Sequence, residues 1–319
     1  MRRLWVAAVA LLLTGCAGTV SGTASVNTQE VQQYQLQRTP LTSQAAFGDV
    51  STVDYCSLLD LDRVKAAGGN GLSEPARNFN YCQVSGKVYG QDIVLGLGYL
   101  SSQGGSQERV ADPAKALSRG LVAQRSTRND NKSCTYYLAF PDGVSLQVYV
   151  TNESTYPSTS AGPSLCAING AVLDGAVAKL SANQAGHFQF APGSLGTVDA
   201  CTLLDVAEVN AQLGGSLRQS AFPAKHRCRW QDAQGNQLDL MLDVSDGTGS
   251  TAEQIGGHAT DIAQLDDAGR DCLATGSVAP YDGQVEVANL YVTVGEPPKD
   301  ACGVARALAG VAWPRLPAT

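Results

Sequence analysis

Eight of the nine cysteines fall into two quartets of nearly equal spacing, and no other feature restricts the fold as tightly. The first quartet is Cys56, Cys82, Cys134 and Cys166, with gaps of 26, 52 and 32 residues. The second is Cys201, Cys228, Cys272 and Cys302, with gaps of 27, 44 and 30. A wider similarity surrounds them. Val53-Asp54-Tyr55-Cys56-Ser57-Leu58-Leu59-Asp60 answers Val198-Asp199-Ala200-Cys201-Thr202-Leu203-Leu204-Asp205 at an offset of 145 throughout. The pattern predicts one unit used twice: a first repeat over 49–182, a linker over 183–196 and a second repeat over 197–319.

The ninth cysteine stands apart. Met1-Arg2-Arg3 is followed by an uncharged apolar run, Leu4 to Leu13, and then Thr14-Gly15-Cys16. A basic start, a short apolar core and small residues before a cut site form a bacterial export signal. The run is shorter than the roughly 20 residues a membrane-spanning helix needs. Leu13-Thr14-Gly15-Cys16 resembles the lipobox of bacterial lipoproteins. That resemblance implies a signal peptide over 1–15, cleavage before Cys16, and a diacyl lipid on its sulfur, with two acyl chains enough for stable anchoring. Residues 16–48 are rich in Ser, Thr, Gln and Gly and read as a flexible tether.

Removing Arg2 and Arg3 leaves 20 basic against 29 acidic residues, a net charge near −9. This argues against nucleic acid, whose binding rests on phosphate neutralisation, and against a polybasic membrane contact.

Local patterns predict the order within each repeat. Asp205 with Glu208 three residues on forms a capping box, and Val206, Val209 and Leu213 share one helical face. Gly214-Gly215 stops that helix, as Gly68-Gly69 stops its counterpart. Strands follow around Cys82 and Cys228, with turns at Gly90 and Gly235 and returning strands over Ile93–Leu100 and Leu238–Val244. The middle of each repeat reads as helical, over Ala114–Leu121 after Asp112-Pro113 and over Ser250–Ile255 and Thr260–Leu265. Asp142-Gly143 and Asp282-Gly283 each mark a second hairpin. Closing helices run over Cys166–Leu180 and Cys302–Val311. The expected class is α+β, with tandem duplicated domains, each an antiparallel sheet of two hairpins packed by helices and stapled by disulfides.

Eight cysteines outside the cytoplasm favour disulfides. Confining bonds to each repeat leaves three pairings apiece. We adopt first with second and third with fourth: Cys56–Cys82, Cys134–Cys166, Cys201–Cys228 and Cys272–Cys302. Each ties a helix start to a strand and is worth ~3 kcal/mol in the chain-entropy picture. Metal is disfavoured. No two cysteines stand two to four residues apart, as structural zinc sites require, and His187, His226 and His258 share no ligand spacing.

Catalytic motifs are also missing. There is no Gly-x-Ser-x-Gly elbow, no Ser-x-x-Lys, no phosphate-binding Gly-x-x-x-x-Gly-Lys, and Gly96-Leu97-Gly98 opens no helix. No cofactor is implied and no catalytic residue is assigned. His226 reads as part of an exposed, charged strand edge. Asp239 with Asp243 reads as a solvated sheet face, and Asp266, Asp267 and Asp271 lack the spacing of a calcium loop. Trp230 and Trp313 read as core.

With these residues in hand, the chain resembles a family of uncharacterised actinobacterial membrane lipoproteins. The carrying features are Leu13-Thr14-Gly15-Cys16, the Cys-Ser/Thr-Leu-Leu-Asp openings at Cys56 and Cys201, and Cys228-Arg229-Trp230. The first repeat departs from the last of these, with Val84 where the tryptophan would stand. The resemblance implies export, anchoring on the outer face of the cell membrane and a disulfide-stapled α+β domain, and it lends no activity. The expected role is a non-enzymatic binding module for an envelope protein, a glycan or a lipid. The alternatives are an envelope lipid carrier and a hydrolase with a scattered active site.

Overall fold

A computed structural model of the chain describes residues 39–102, 109–130, 132–154, 165–245, 252–295 and 300–317. Cys16, the export signal and all but the end of the tether lie outside the described residues. In chain order the elements are α1 (Ser43–Phe47), β1 (Val53–Asp54), α2 (Leu61–Ala66), β2 (Gly69–Asn70), β3 (Ala76–Arg77), β4 (Tyr81–Val88), β5 (Gln91–Ser102), β6 (Arg109–Ala111), β7 (Val122–Ser126), β8 (Ser133–Ala139), β9 (Val144–Asn152) and α3 (Leu165–Ser181). They continue as β10 (Gly186–His187), α4 (Val206–Leu213), β11 (Arg218–Ala221), β12 (Arg227–Gln231), β13 (Gln237–Ser245), β14 (Glu253–Ile255), β15 (His258–Gln264), β16 (Asp271–Tyr281), β17 (Gln284–Thr293) and α5 (Ala301–Ala312). The fold is α+β and rich in sheet.

Two antiparallel sheets hold most of the chain. One runs β2-β4-β5-β9-β8-β7-β6, with β3 also paired to β4, and the other runs β11-β12-β13-β17-β16-β15-β14. Helix α3 lies over β8 and β9, and α5 over β15, β16 and β17. Alternation explains the two faces of the second sheet. Cys228, Trp230, Leu238, Leu240, Leu242, Cys272, Ala274, Leu290 and Val292 point inward and are fully buried. Their odd-numbered neighbours face the other way.

Four disulfides, Cys56–Cys82, Cys134–Cys166, Cys201–Cys228 and Cys272–Cys302, pair first with second and third with fourth in each half. Two of them tie the first turns of α3 and α5 to β8 and β16. At α4, Asp205 accepts from the Glu208 amide while Glu208 accepts from the Asp205 amide, and Gly214 ends the helix at φ 68°. Trp313 is buried over Gly276, where a Cβ would come within 2.9 Å of its indole, and donates to Thr260 Oγ1 at 3.1 Å.

Several expectations need correction. The folded part starts before residue 49: Leu41 and Phe47, both buried, belong to the first core, and Ser43 donates to the Asp142 carboxylate. Residues 114–121 form no helix. Asp112 accepts from the Ala114 amide and the Tyr136 hydroxyl, and Arg119 and Gly120 adopt positive φ. A segment of eight residues has too little helical stability of its own to resist such contacts. Thr260–Leu265 is not a helix either, since β15 covers Thr260 to Gln264 and pairs with β16. Glu253–Ile255 is strand β14, and residues 250–251 lie outside the described residues. In both cases an open sheet edge offered the backbone more hydrogen bonds than an isolated turn of helix could.

The halves meet through specific contacts. Phe79 belongs to the second core and packs its ring against Phe188, Phe190 and Tyr281. Asn80 donates from Nδ2 to the Leu242 carbonyl at 2.7 Å. His226 is buried there, with Nδ1 3.3 Å from the Phe79 carbonyl and Nε2 3.0 Å from the Gly196 carbonyl. The expected exposed edge at His226 is therefore wrong: the first half covers it.

Candidate binding pocket on the second sheet

The turn between β12 and β13 sets the site. Asp232 Oδ1 accepts from the Gln234 and Asn236 amides, and Gly235 supplies φ 85°. This fixes Gln231 opposite Gln237, and hence Arg229 opposite Asp239 and Arg227 opposite Met241. A slip of one residue would drive both arginines into the core. On the next strand Tyr291 stands beside Asp239 and Asn289 beside Met241. Leu273 follows beyond Tyr291.

These side chains, Arg227, Arg229, Gln237, Asp239, Met241, Leu273, Asn289 and Tyr291, line a pocket of about 430 Å³ on the face turned away from α5. That size lies within the ~300–1,000 Å³ of small-molecule sites. The Asp239 side chain is 9% exposed and saturated with donors. It receives Arg227 Nε at 3.0 Å, Arg229 Nε at 3.0 Å, Arg229 Nη2 at 2.8 Å and Gln237 Nε2 at 2.8 Å. Phe222 lies against the arginines, 4.6 Å from the Arg227 guanidinium carbon and 5.8 Å from that of Arg229. Ion pair and ring stacking together hold both guanidinium groups in place. The solvated acidic face expected at Asp239 and Asp243 is thus corrected. Both are buried, one in a salt-bridge network and one beneath the first half.

Asp243 sits two residues beyond Met241 on β13, close to Tyr81 and Tyr99. Burial raises its carboxyl to about 8, against a smaller opposing effect of the Val244 amide it accepts from. At neutral pH it is therefore mostly uncharged. Burial also raises the Tyr81 and Tyr99 hydroxyls, with Asp243 adding to both. The two rings stack at 4.8 Å, and Tyr99 takes φ 46° beside Gly98 at a break in the β5–β9 register. Burial lowers the His226 imidazole, outweighing its two carbonyl contacts.

The remaining sequence candidates do not join this site. The eight cysteines are consumed in disulfides, and Trp230 and Trp313 are core residues. Asp266 accepts from the Arg270 and Asp271 amides and serves its own turn. His187 meets Thr52 and His258 meets the Ser277 carbonyl. Among the described residues no group of three His, Cys, Asp or Glu side chains could hold a metal. Arg229 and Asp239 are conspicuous in the sequence, but their meeting with Arg227 is not. The usable signal was charge at alternate positions on both arms of one hairpin.

No family model matches the chain, and no curated protein matches it. One solved structure, the crystal structure of the di-domain ARO/CYC StfQ from the steffimycin biosynthetic pathway, is similar at 12% identity over 83% of this chain and 97% of that one, with a TM-score of 0.18. A score that low transfers neither fold nor activity.

Proposed function

We propose that the protein is an exported lipoprotein, anchored through Cys16 to the outer face of the cell membrane, that binds a small ligand rather than transforming one. The observation that carries the binding reading is the pocket of about 430 Å³ beside a preorganised arginine pair. The anchor rests on Leu13-Thr14-Gly15-Cys16 and the apolar run before it. The tether then keeps the folded part close to the bilayer.

In the same reading the two halves are tandem copies of one module. Their sheets share a strand order once the cysteine-bearing strands β4 and β12 are matched, and each carries two disulfides in the same places. The second copy carries the pocket lined by the arginine pair. The first serves as a scaffold that covers Asp243 and His226.

Fractionation of cells tests the anchor. The wild-type chain is expected in the membrane fraction and Cys16→Ala in the soluble one; retention of the variant in membranes overturns anchoring. Turnover of cell-wall or lipid substrates that depends on pocket residues would overturn the binding-only reading.

A further inference from the structure

We infer that the pocket of the second sheet selects an anionic head group, a carboxylate or a phosphate monoester, carried on an apolar body. The inference rests on the reading of this pocket as a ligand site and adds the class of ligand.

Charge is the first argument. Two guanidinium groups border the pocket and one carboxylate answers them. The oxygens of Asp239 are occupied by Arg227 Nε, by Arg229 Nε and Nη2, and by Gln237 Nε2. Among the described residues, both terminal nitrogens of Arg227 and Nη1 of Arg229 make no protein hydrogen bond. A net positive charge and unused N–H groups therefore remain in a half-buried setting. Among the described residues no other carboxylate pairs with these guanidinium groups. Asp243 keeps its proton up to about pH 8. Asp271 lies beyond Tyr291 and accepts from Thr293 Oγ1 at 2.7 Å.

Preorganisation is the second argument. Asp239 and the Phe222 ring immobilise the arginines before any ligand arrives, which lowers the entropy cost of binding. A planar guanidinium edge matches a carboxylate or phosphate with paired hydrogen bonds. Apolar surface is the third. Met241, Leu273 and the Tyr291 ring form the floor beside the arginines, so the anion must bring an apolar portion to fill it. A bare anion would leave that floor wet, and a neutral ligand would leave the arginine N–H groups unanswered.

The test uses the full chain in neutral-lipid nanodiscs, titrated calorimetrically with 4-phenylbutyrate, 4-phenylbutyl phosphate, 4-phenylbutanol and inorganic phosphate. Both aryl anions are expected to bind about tenfold or more tightly than the alcohol, the ratio that a charged hydrogen bond of ~1.5–3 kcal/mol supplies. Whichever anion binds more tightly identifies the head group. Inorganic phosphate is expected to bind weakly. Arg227→Gln should erase the preference for anions, and Leu273→Trp, which fills the floor without touching the core, should abolish binding. Equal binding of the alcohol and the anions, blocked by Leu273→Trp, overturns the anion selectivity and leaves the pocket as a ligand site. Binding of no probe, or binding indifferent to Leu273→Trp, overturns both.

Discussion

At corresponding places in their strand orders the two sheets carry different side chains, and the difference decides how a tyrosine lies on each. Strand register sets Gln83 opposite Gly96 and Gly96 opposite Tyr149 in the first half. In the second half it sets Arg229 opposite Asp239 and Asp239 opposite Tyr291. Both halves thus keep a tyrosine on the fourth strand of the order. At Gly96 a Cβ would come within 2.6 Å of Tyr149 Oη and 2.8 Å of the Cys82 carbonyl. The Tyr149 ring therefore lies down on the first sheet and fills the space. Asp239 has a side chain, held upright by two arginines, and Tyr291 cannot collapse onto it. One glycine against one aspartate separates a tyrosine laid across its sheet from a tyrosine that lines a pocket.

The inner faces differ as well. Trp230 stands where the first half has Val84, two residues after the matched cysteine, and both are buried. Trp230→Ala is expected to cost about 3–5 kcal/mol, in the range for aromatic truncation in a core. Val84→Ala should cost roughly 1–2 kcal/mol. Urea denaturation of both variants measures the gap, and equal losses would show that the cores are not built alike.

The outer faces give the next largest effects. Asp239→Ala leaves two half-buried guanidinium groups against each other and is expected to lose about 1–3 kcal/mol. Gly96→Asp, its mirror in the first half, must displace Tyr149 and press on backbone, with a cost of about 1–3 kcal/mol. Tyr149→Ala should be milder and open a matching space on the first sheet. That space has Gln83 and Tyr81 in place of the arginine pair, so no second anion site is expected in a titration of this variant.

Titration separates the pocket side of the junction from its core side. In the folded chain Asp243 holds its proton to about pH 8, whereas an unfolded aspartate releases it near ~3.9. The folded state binds more protons between those values, so this group makes stability fall as pH rises from about 4 to 8. His226 acts in the opposite sense. Its folded value is lowered, so its contribution is present above the unfolded value of ~6.5 and is lost as pH falls below it. Asp243→Asn is expected to flatten the decline between about pH 4 and 8 while leaving in place the His226 loss below ~6.5. Urea midpoints across that range check both; an unchanged slope would remove Asp243 as its source.

Much of this architecture was legible in residue order. The capping box at Asp205 and Glu208, the hairpins at Gly143 and Gly283, the closing helices and the two core tryptophans each depend on neighbours a few positions away. The cysteine spacings constrained the pairing because each bond spans a short local unit. The helical middles misled because their short segments have weak preferences of their own: residues 114–121 form a loop, and residues 258–264 pair as a strand between β14 and β16. Phe47 and Leu41 misled for a similar reason, since a polar run hid two core anchors.

The pocket was not legible, although its charged residues were. Alternation of Arg227 with Arg229 and of Asp239 with Asp243 determined that these side chains share one face of a hairpin. Whether that face is wet, paired or covered depended on the turn at Asp232, on Tyr291 from a strand over fifty residues away, and on the first half resting over Asp243 and His226. Burial and charge pairing are properties of what approaches a residue from elsewhere in the chain. Only the tertiary structure determines those approaches.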